Sequence, residues 1–370
     1  MHIRFNTSNE LIAAIGEEQL KDDEYWLIML ADKHLPQLNA IVSDLNSESI
    51  PFFGAVFPGL IYGKRMLYEG ALVRKVQCLS PPCAVSLPVE SEQIEALLPS
   101  YSSVPESGAT CLTFIDCLST GIDDLLNQVY SRFNKRCSYF GAGAGNNDLT
   151  PEHSVFGNWG CSRNSAVIAI INNPSDCVAR HGWERHSGPY VASRTTNNVV
   201  HELDWEDAEV AYRQALPAKL QTTPPEQFYK NVTPRFPFAV EYPGAEDVVR
   251  DPIFLCGNGD VMFLSDIPPG SLLYLVEGSP EKLINAASSA VKDAMQVRSS
   301  SILVCDCLSR TVALDSQFPA ELRAISDQVN SQQPDIIVEG VLALGEIASN
   351  GDRTTNFYNK TFGICSFHEQ

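Results

Sequence analysis

The tetrapeptide Asp-Cys-Leu-Ser occurs twice, as Asp116-Cys117-Leu118-Ser119 and as Asp306-Cys307-Leu308-Ser309, each time just after an apolar run of strand length. A cysteine becomes a nucleophile when a cation or a histidine lowers its pKa, and Cys307 has Arg310 close behind it, whereas the aspartate beside each thiol raises that pKa. Two readings follow: a loop-capping aspartate with a half-buried thiol, or a thiol that contacts a ligand or undergoes redox chemistry. Near the C-terminus a Gly345-Glu346 corner supplies a carboxylate. With Arg310 it would suit the ammonium and carboxylate of an amino acid, and the alternative is that Arg310 and Glu346 pair with each other or with loops of their own lobe.

Gly141-Ala-Gly-Ala-Gly145 has the look of a phosphate loop, but a dinucleotide fingerprint needs a third glycine at the right distance and a helix opening directly behind it. Here Asn146 to Pro151 reads as loop. Gly141 and Gly143 are accordingly expected in a tight turn with positive φ, or where a ligand approaches bare backbone. Of the seven histidines, His153, His181, His186 and His201 fall in the middle third. His181 and His186 fit no zinc spacing; they belong to a surface loop, or one of them is an axial ligand to haem, on which neighbouring aromatics would pack. No GxSxG elbow accompanies a Ser-His-Asp order.

These residues need elements to hold them. Pro51 to Val76, Tyr139 to Ile171 and Val338 to Phe367 share one plan: an apolar run broken by glycine, a corner, a polar loop, and a second apolar run. In the third copy the polar loop centres on Asn350-Gly351. Upstream of each copy lie a strand-length run (Trp26 to Leu30, Cys111 to Cys117, Ser301 to Cys307) and, for the first two, a stretch of helical spacing such as Ile122, Leu125, Leu126, Val129 and Phe133. Val155-Phe156-Gly157 is read as answering Thr361-Phe362-Gly363. The expected fold is mixed α/β: two related lobes of mixed sheet flanked by helices, built from a repeated strand-helix-strand-strand module.

At 370 residues the chain is long enough for two cores. Its formal charge of −19 argues against nucleic acid as a partner. Eleven cysteines without a CxxC pair read mostly as buried, reduced thiols. No apolar run reaches membrane-helix length and the start lacks a signal-peptide pattern, so a cytoplasmic protein without a membrane partner is expected.

Several ordered motifs resemble the FIST family, over nearly the whole chain. In the first part these are Phe52-Phe53-Gly54, Tyr139 to Gly145, Ser154-Val-Phe156, Gly182-Trp183 and Asn198 to Asp204; in the second, Val249-Arg250-Asp251-Pro252, Asp266 to Gly270, Cys307-Leu-Ser-Arg310, Gly345-Glu346-Ile347 and Asn359-Lys-Thr361. The resemblance divides the chain into a FIST N-type lobe, 1–205, and a FIST C-type lobe, 206–370. It implies a sensory module that binds a small ligand and regulates a partner such as a histidine kinase or diguanylate cyclase. Amino acids have been proposed as ligands of the family, and stand-alone members include nitric-oxide-sensing haem proteins. The implied ligand wall takes in Gly345, Glu346, Arg310, Cys307 and Asn359, with Gly141 and Gly143 nearby. The first module lacks the Gly-Glu corner. Haem ligation by His181 and His186 is a chemical reading of this sequence, not carried over from the family. The competing readings are an enzyme using Cys307 or Cys117 as nucleophile and a ligand-free scaffold.

Overall fold

The computed structural model describes residues 1–16, 18–242, 246–349 and 355–369; the Asn350-Gly351 loop lies outside them. The mixed α/β class and the repeated module are both present, and the module occurs three times. The first copy runs through the strand Glu24–Ala31, the helix Leu38–Ser47, the strand Phe52–Phe57, the hairpin Gly59–Tyr62 and Arg65–Leu67, and the strand Ala71–Gln77. The second runs through Ala109–Asp116, the helix Ile122–Phe133, Cys137–Ala144, the hairpin Val155–Gly157 and Gly160–Ser162, and Ser165–Ile171. The third runs through Ser299–Cys307, the helices Leu308–Leu314 and Phe318–Gln332, Glu339–Ala343, the hairpin Glu346–Ala348 and Asn356–Tyr358, and Phe362–His368.

In each copy the first strand lies parallel to the strand after the helix and antiparallel to the closing strand. The hairpin in between does not stay at home. That of the first copy pairs with Glu339–Ala343 of the third, that of the second with Phe52–Phe57 of the first, and that of the third with Cys137–Ala144 of the second. The exchange is cyclic, so no copy has a complete sheet of its own.

Strands buried on both faces read as unbroken apolar runs, and the pleat sorts their residues. Leu27 and Met29, Leu112 and Phe114, and Leu303 and Cys305 face one shared central core. Their neighbours face outward: Ile28 and Leu30 under helix residues Ile41 and Leu45, Ile115 under Leu125 and Val129, and Val304 under Leu322 and Ile325. The two Asp-Cys-Leu-Ser copies are therefore out of step. Asp116 follows the outward Ile115, whereas Asp306 follows the inward Cys305. Asp116 pairs with Ala144, while in the third copy it is Cys307 that pairs with Ala343. Likewise Val155–Gly157 is the start of an exchanged hairpin and Phe362 opens a closing strand, so those two segments are not counterparts.

A fourth, eight-stranded sheet is inserted between the second and third copies and has its own core around Tyr212, Phe228, Phe238 and Phe263. Its long strand Glu184–Thr196 pairs with Leu272–Glu277 on one side and Val199–Leu203 on the other. Hydrogen bonding thus crosses residue 205 freely.

Candidate functional site

Cys307 ends the first strand of the third module, and the chain turns there into the helix Leu308–Leu314. Around this strand end the structure gathers Glu346, Arg310, Asn359 and Gly345, with Asp251, Glu321, Lys360, Thr361 and His181. The charged side chains among these, like Cys307, are almost wholly excluded from solvent.

Arg310 is fully buried and committed. Its Nε and Nη2 donate to the two oxygens of Glu321 at 3.0 and 2.8 Å, and Nη1 donates to the His181 carbonyl at 2.6 Å. Nη2 also donates to the Leu283 carbonyl. A bidentate fork to a carboxylate is the geometry guanidinium favours. Arg310 therefore neither pairs with Glu346 nor is open to a ligand carboxylate. Asp306 sits 3.6 Å from its Nε, with both oxygens buried and unbonded. Burial first, and then the neighbouring Glu321 charge, raise the Asp306 carboxyl well above its ordinary range.

Lys360, at φ +51°, reaches Asp251 at 3.1 Å and lies 5.8 Å from the Trp183 ring centre. Trp183 donates its indole N–H to the Lys360 carbonyl at 3.0 Å. Asn359 accepts from the Ser265 hydroxyl at 3.1 Å and donates to the Tyr358 carbonyl at 2.9 Å, which fixes its amide as a structural strut.

Glu346 is different. It accepts one bond, from the Thr361 amide at 3.2 Å, and its other oxygen is buried without a partner. Burial pushes its carboxyl well above the usual range, opposed by the Cys307 thiol beside it. The preceding Gly345 has φ +113°, and a Cβ there would lie 2.2 Å from the Phe357 ring, so only glycine makes this corner. The Cys307 thiol is pushed up to about 12, by burial and then by the Glu346 charge, and Ser309 lies 3.3 Å away. Cys117 is raised further, also by burial. Thiols this strongly protonated are poor nucleophiles.

Gly141 and Gly143 are neither turn nor loop. They lie in the middle of the strand Cys137–Ala144, where Ala142 pairs with Glu346 and the Gly143 amide donates to the Gly345 carbonyl at 2.7 Å. A Cβ at Gly141 would sit 1.8 Å from the Thr113 carbonyl oxygen. They are glycines because the sheet backbones approach closely, and they line the corner only through the paired strand.

The two histidines are separated by environment. His181 is buried; its Nδ1 accepts the Trp183 amide at 2.8 Å and its Nε2 lies 3.4 Å from Glu246. Burial lowers its pKa, which keeps the ring neutral. His186 lies 3.5 Å from Glu277 in a groove of about 620 Å³ lined by Glu184, Arg185, Arg235, Glu277 and Lys282. A haem needs a slot with apolar walls. Among the described residues neither histidine faces one, and His181 and His186 do not fit that group. Among the described residues no three His, Cys, Asp or Glu side chains gather to hold a metal ion, and no helix is long and apolar enough to cross a membrane.

Asp251, Lys360 and Glu321 are the members that spacing alone did not single out. Asp251 and Lys360 stood within the Arg-Asp-Pro and Asn-Lys-Thr runs; Glu321, on the buried face of its helix with Phe318, Leu322 and Ile325, is a charged residue at a core position.

The fold is mixed α/β, and its third module carries a buried, charged corner whose thiol burial keeps protonated. The chain matches the FIST N domain over residues 27–206 and the FIST C domain over residues 208–349. It is a FIST domain protein, and FIST domains are sensory, ligand-binding domains rather than catalytic ones. No curated protein matches it.

Proposed function

We propose that the protein is a sensor whose small ligand binds at the Glu346–Cys307 corner of the third module and changes its affinity for a signalling partner of the histidine kinase or cyclase type. The observation that carries the reading is Glu346: a fully buried carboxyl with one unpartnered oxygen, next to a thiol, while the nearby cations are committed elsewhere. Leaving a buried acceptor unbonded costs about 1–3 kcal/mol. A ligand donor would relieve that cost, and an ammonium group is the donor a carboxylate holds best. To act as a signal, such a ligand must interact differently with two states of the protein. Haem and nitric oxide have no part in the reading, because His181 and His186 do not form a haem slot.

A thermal-shift screen of amino acids and amines tests it. A ligand present at about a hundred times its Kd stabilises the fold by about 2.7 kcal/mol, and the shift should vanish in Glu346→Gln. If no ammonium compound moves the unfolding temperature of the native protein, the corner is not a sensor site for such ligands.

A further inference from the structure

The inserted sheet leaves an edge open. The strand Pro252–Leu255 ends it, paired with Val261–Phe263 on one side and, among the described residues, with no strand on the other. Such an edge offers backbone N–H and C=O groups to a further strand. The helix Pro225–Asn231 packs beside it. Between helix and strand lies a pocket of about 390 Å³, lined by Pro225, Glu226, Phe228, Tyr229 and Thr233 together with all four strand residues. Successive side chains of a strand point to opposite faces, so a pocket that touches four in a row runs along the edge and not over one face.

The groove is pre-formed. Phe228 is buried at its floor, packs edge-on against Tyr212 with ring centres 5.2 Å apart, and carries Arg213 at 4.7 Å over its own ring centre. Thr233, also buried, donates its hydroxyl to the Tyr229 carbonyl at 3.0 Å. The rim is aromatic and open to solvent, with Phe254 61% and Tyr229 47% exposed. The charged residue of the lining is Glu226, in a chain of formal charge −19. Pro252 has no amide donor, and the register slips at Ile253, which has no partner across the ladder. These two features leave only a short edge and discourage indiscriminate pairing. A second copy of this chain would also bring like charge to it.

We propose that this groove docks a short extended segment of a partner protein, in which an apolar side chain is flanked by lysine or arginine. The segment adds a strand to Pro252–Leu255 through main-chain hydrogen bonds, sets its apolar side chain against Phe228 and Tyr229, and places its cation by Glu226. A helix beside an open strand provides both parts of such recognition: the edge binds main chain of any sequence, and the pocket with its acid selects the side chains. None of the lining residues belongs to the Glu346 corner, so the inference does not depend on what binds there.

Fluorescence anisotropy of the full chain with the labelled, end-capped peptide Lys-Val-Leu-Val-Leu-Lys tests this. Two controls accompany it: the same peptide with glutamate for each lysine, and one N-methylated at every valine and leucine, which removes the donors a strand needs. The lysine peptide should bind with a Kd below about 1 mM, and each control at least about tenfold more weakly. Glu226→Lys should reverse the preference between the two charged peptides, and Tyr229→Ala should weaken the lysine peptide at least about tenfold. Both positions are exposed, and an unchanged unfolding temperature checks that each variant is folded. No binding of the lysine peptide, or binding that ignores Tyr229→Ala, would overturn the site. Equal binding of the N-methylated peptide would overturn the added strand, and indifference to Glu226→Lys would overturn the choice of a basic segment. Sedimentation that finds a dimer of the native chain, dissociated by Phe254→Asp, would give the groove to a second copy instead.

Discussion

Arg310→Met keeps the length of the side chain and removes its charge at the centre of the cluster. The native guanidinium is fully buried, bonds both oxygens of Glu321 at 3.0 and 2.8 Å, reaches the His181 carbonyl at 2.6 Å and stands 3.6 Å from Asp306. Methionine leaves Glu321 next to Asp306 with no cation at hand. Breaking a buried pair in this way costs about 3–5 kcal/mol, against about 0–1 kcal/mol for an exposed one. The pair itself is worth much less than its rupture, because desolvating both charges offsets most of their attraction. Arg310→Met/Glu321→Leu should accordingly recover a good part of the loss, giving a coupling energy above about 2 kcal/mol. Urea unfolding followed by tryptophan fluorescence reads this directly, since Trp183 donates to the Lys360 carbonyl at the edge of the cluster. A loss below about 1 kcal/mol for Arg310→Met would mean that the cluster behaves like a surface pair, and the reasoning on committed cations would fail with it.

The raised Glu346 carboxyl has a pH signature. The native state keeps a proton that the unfolded chain gives up, so stability falls as pH rises from about 4.3, the unfolded value, through the native one, by up to about 1.4 kcal/mol per pH unit. Glu346→Gln lacks that slope and should gain on the native protein across the window; a constant difference between the two would remove the assignment. Gly141→Ala forces a Cβ to within 1.8 Å of the Thr113 oxygen and should cost about 3 kcal/mol or more, whereas Gly63→Ala, at φ +60° with nothing within 4 Å, should cost about 1 kcal/mol. Equal losses in denaturant unfolding would contradict the close-approach account. Iodoacetamide at neutral pH should label the partly exposed Cys161 and Cys256 long before Cys307, which mass spectrometry resolves; early labelling of Cys307 would return it to the list of nucleophiles.

The three module copies were legible because each writes strand, glycine corner and strand in the same order, and strand burial on both faces is a local property of composition. Their partnership was not. Which sheet a hairpin joins is decided by residues hundreds of positions away, such as Val341 opposite Leu60, and no local pattern records it. Letter identity even misled: the two Asp-Cys-Leu-Ser runs differ by one step in pleat, so Asp116 caps its loop by accepting the Leu118 amide at 3.2 Å and the Asn164 amide at 2.8 Å, while Asp306 faces Arg310. At the site, Glu346, Cys307 and Arg310 do meet. The partner of Arg310 was unreadable, because a glutamate on an amphipathic helix looks solvated until the fold buries it. The glycine run failed as a turn for the opposite reason: Gly141 and Gly143 serve a contact between strands that only the assembled sheet creates.

The corner also lies where the modules are joined. Glu346 opens a strand that has left its own module to pair with Cys137–Ala144, and the other arm of that hairpin offers the Phe357 carbonyl to Arg250 of the inserted sheet. Gly345, with no room for a Cβ, fixes the direction in which the chain departs. A group that pulls on Glu346 therefore loads three parts of the molecule through one short strand: the third module by way of Thr361, the second by way of Ala142, and the insert by way of Phe357. Packed interfaces of this kind transmit a displacement because they resist gradual deformation. The unpartnered oxygen of Glu346 thus stands on a strand that bonds to all three.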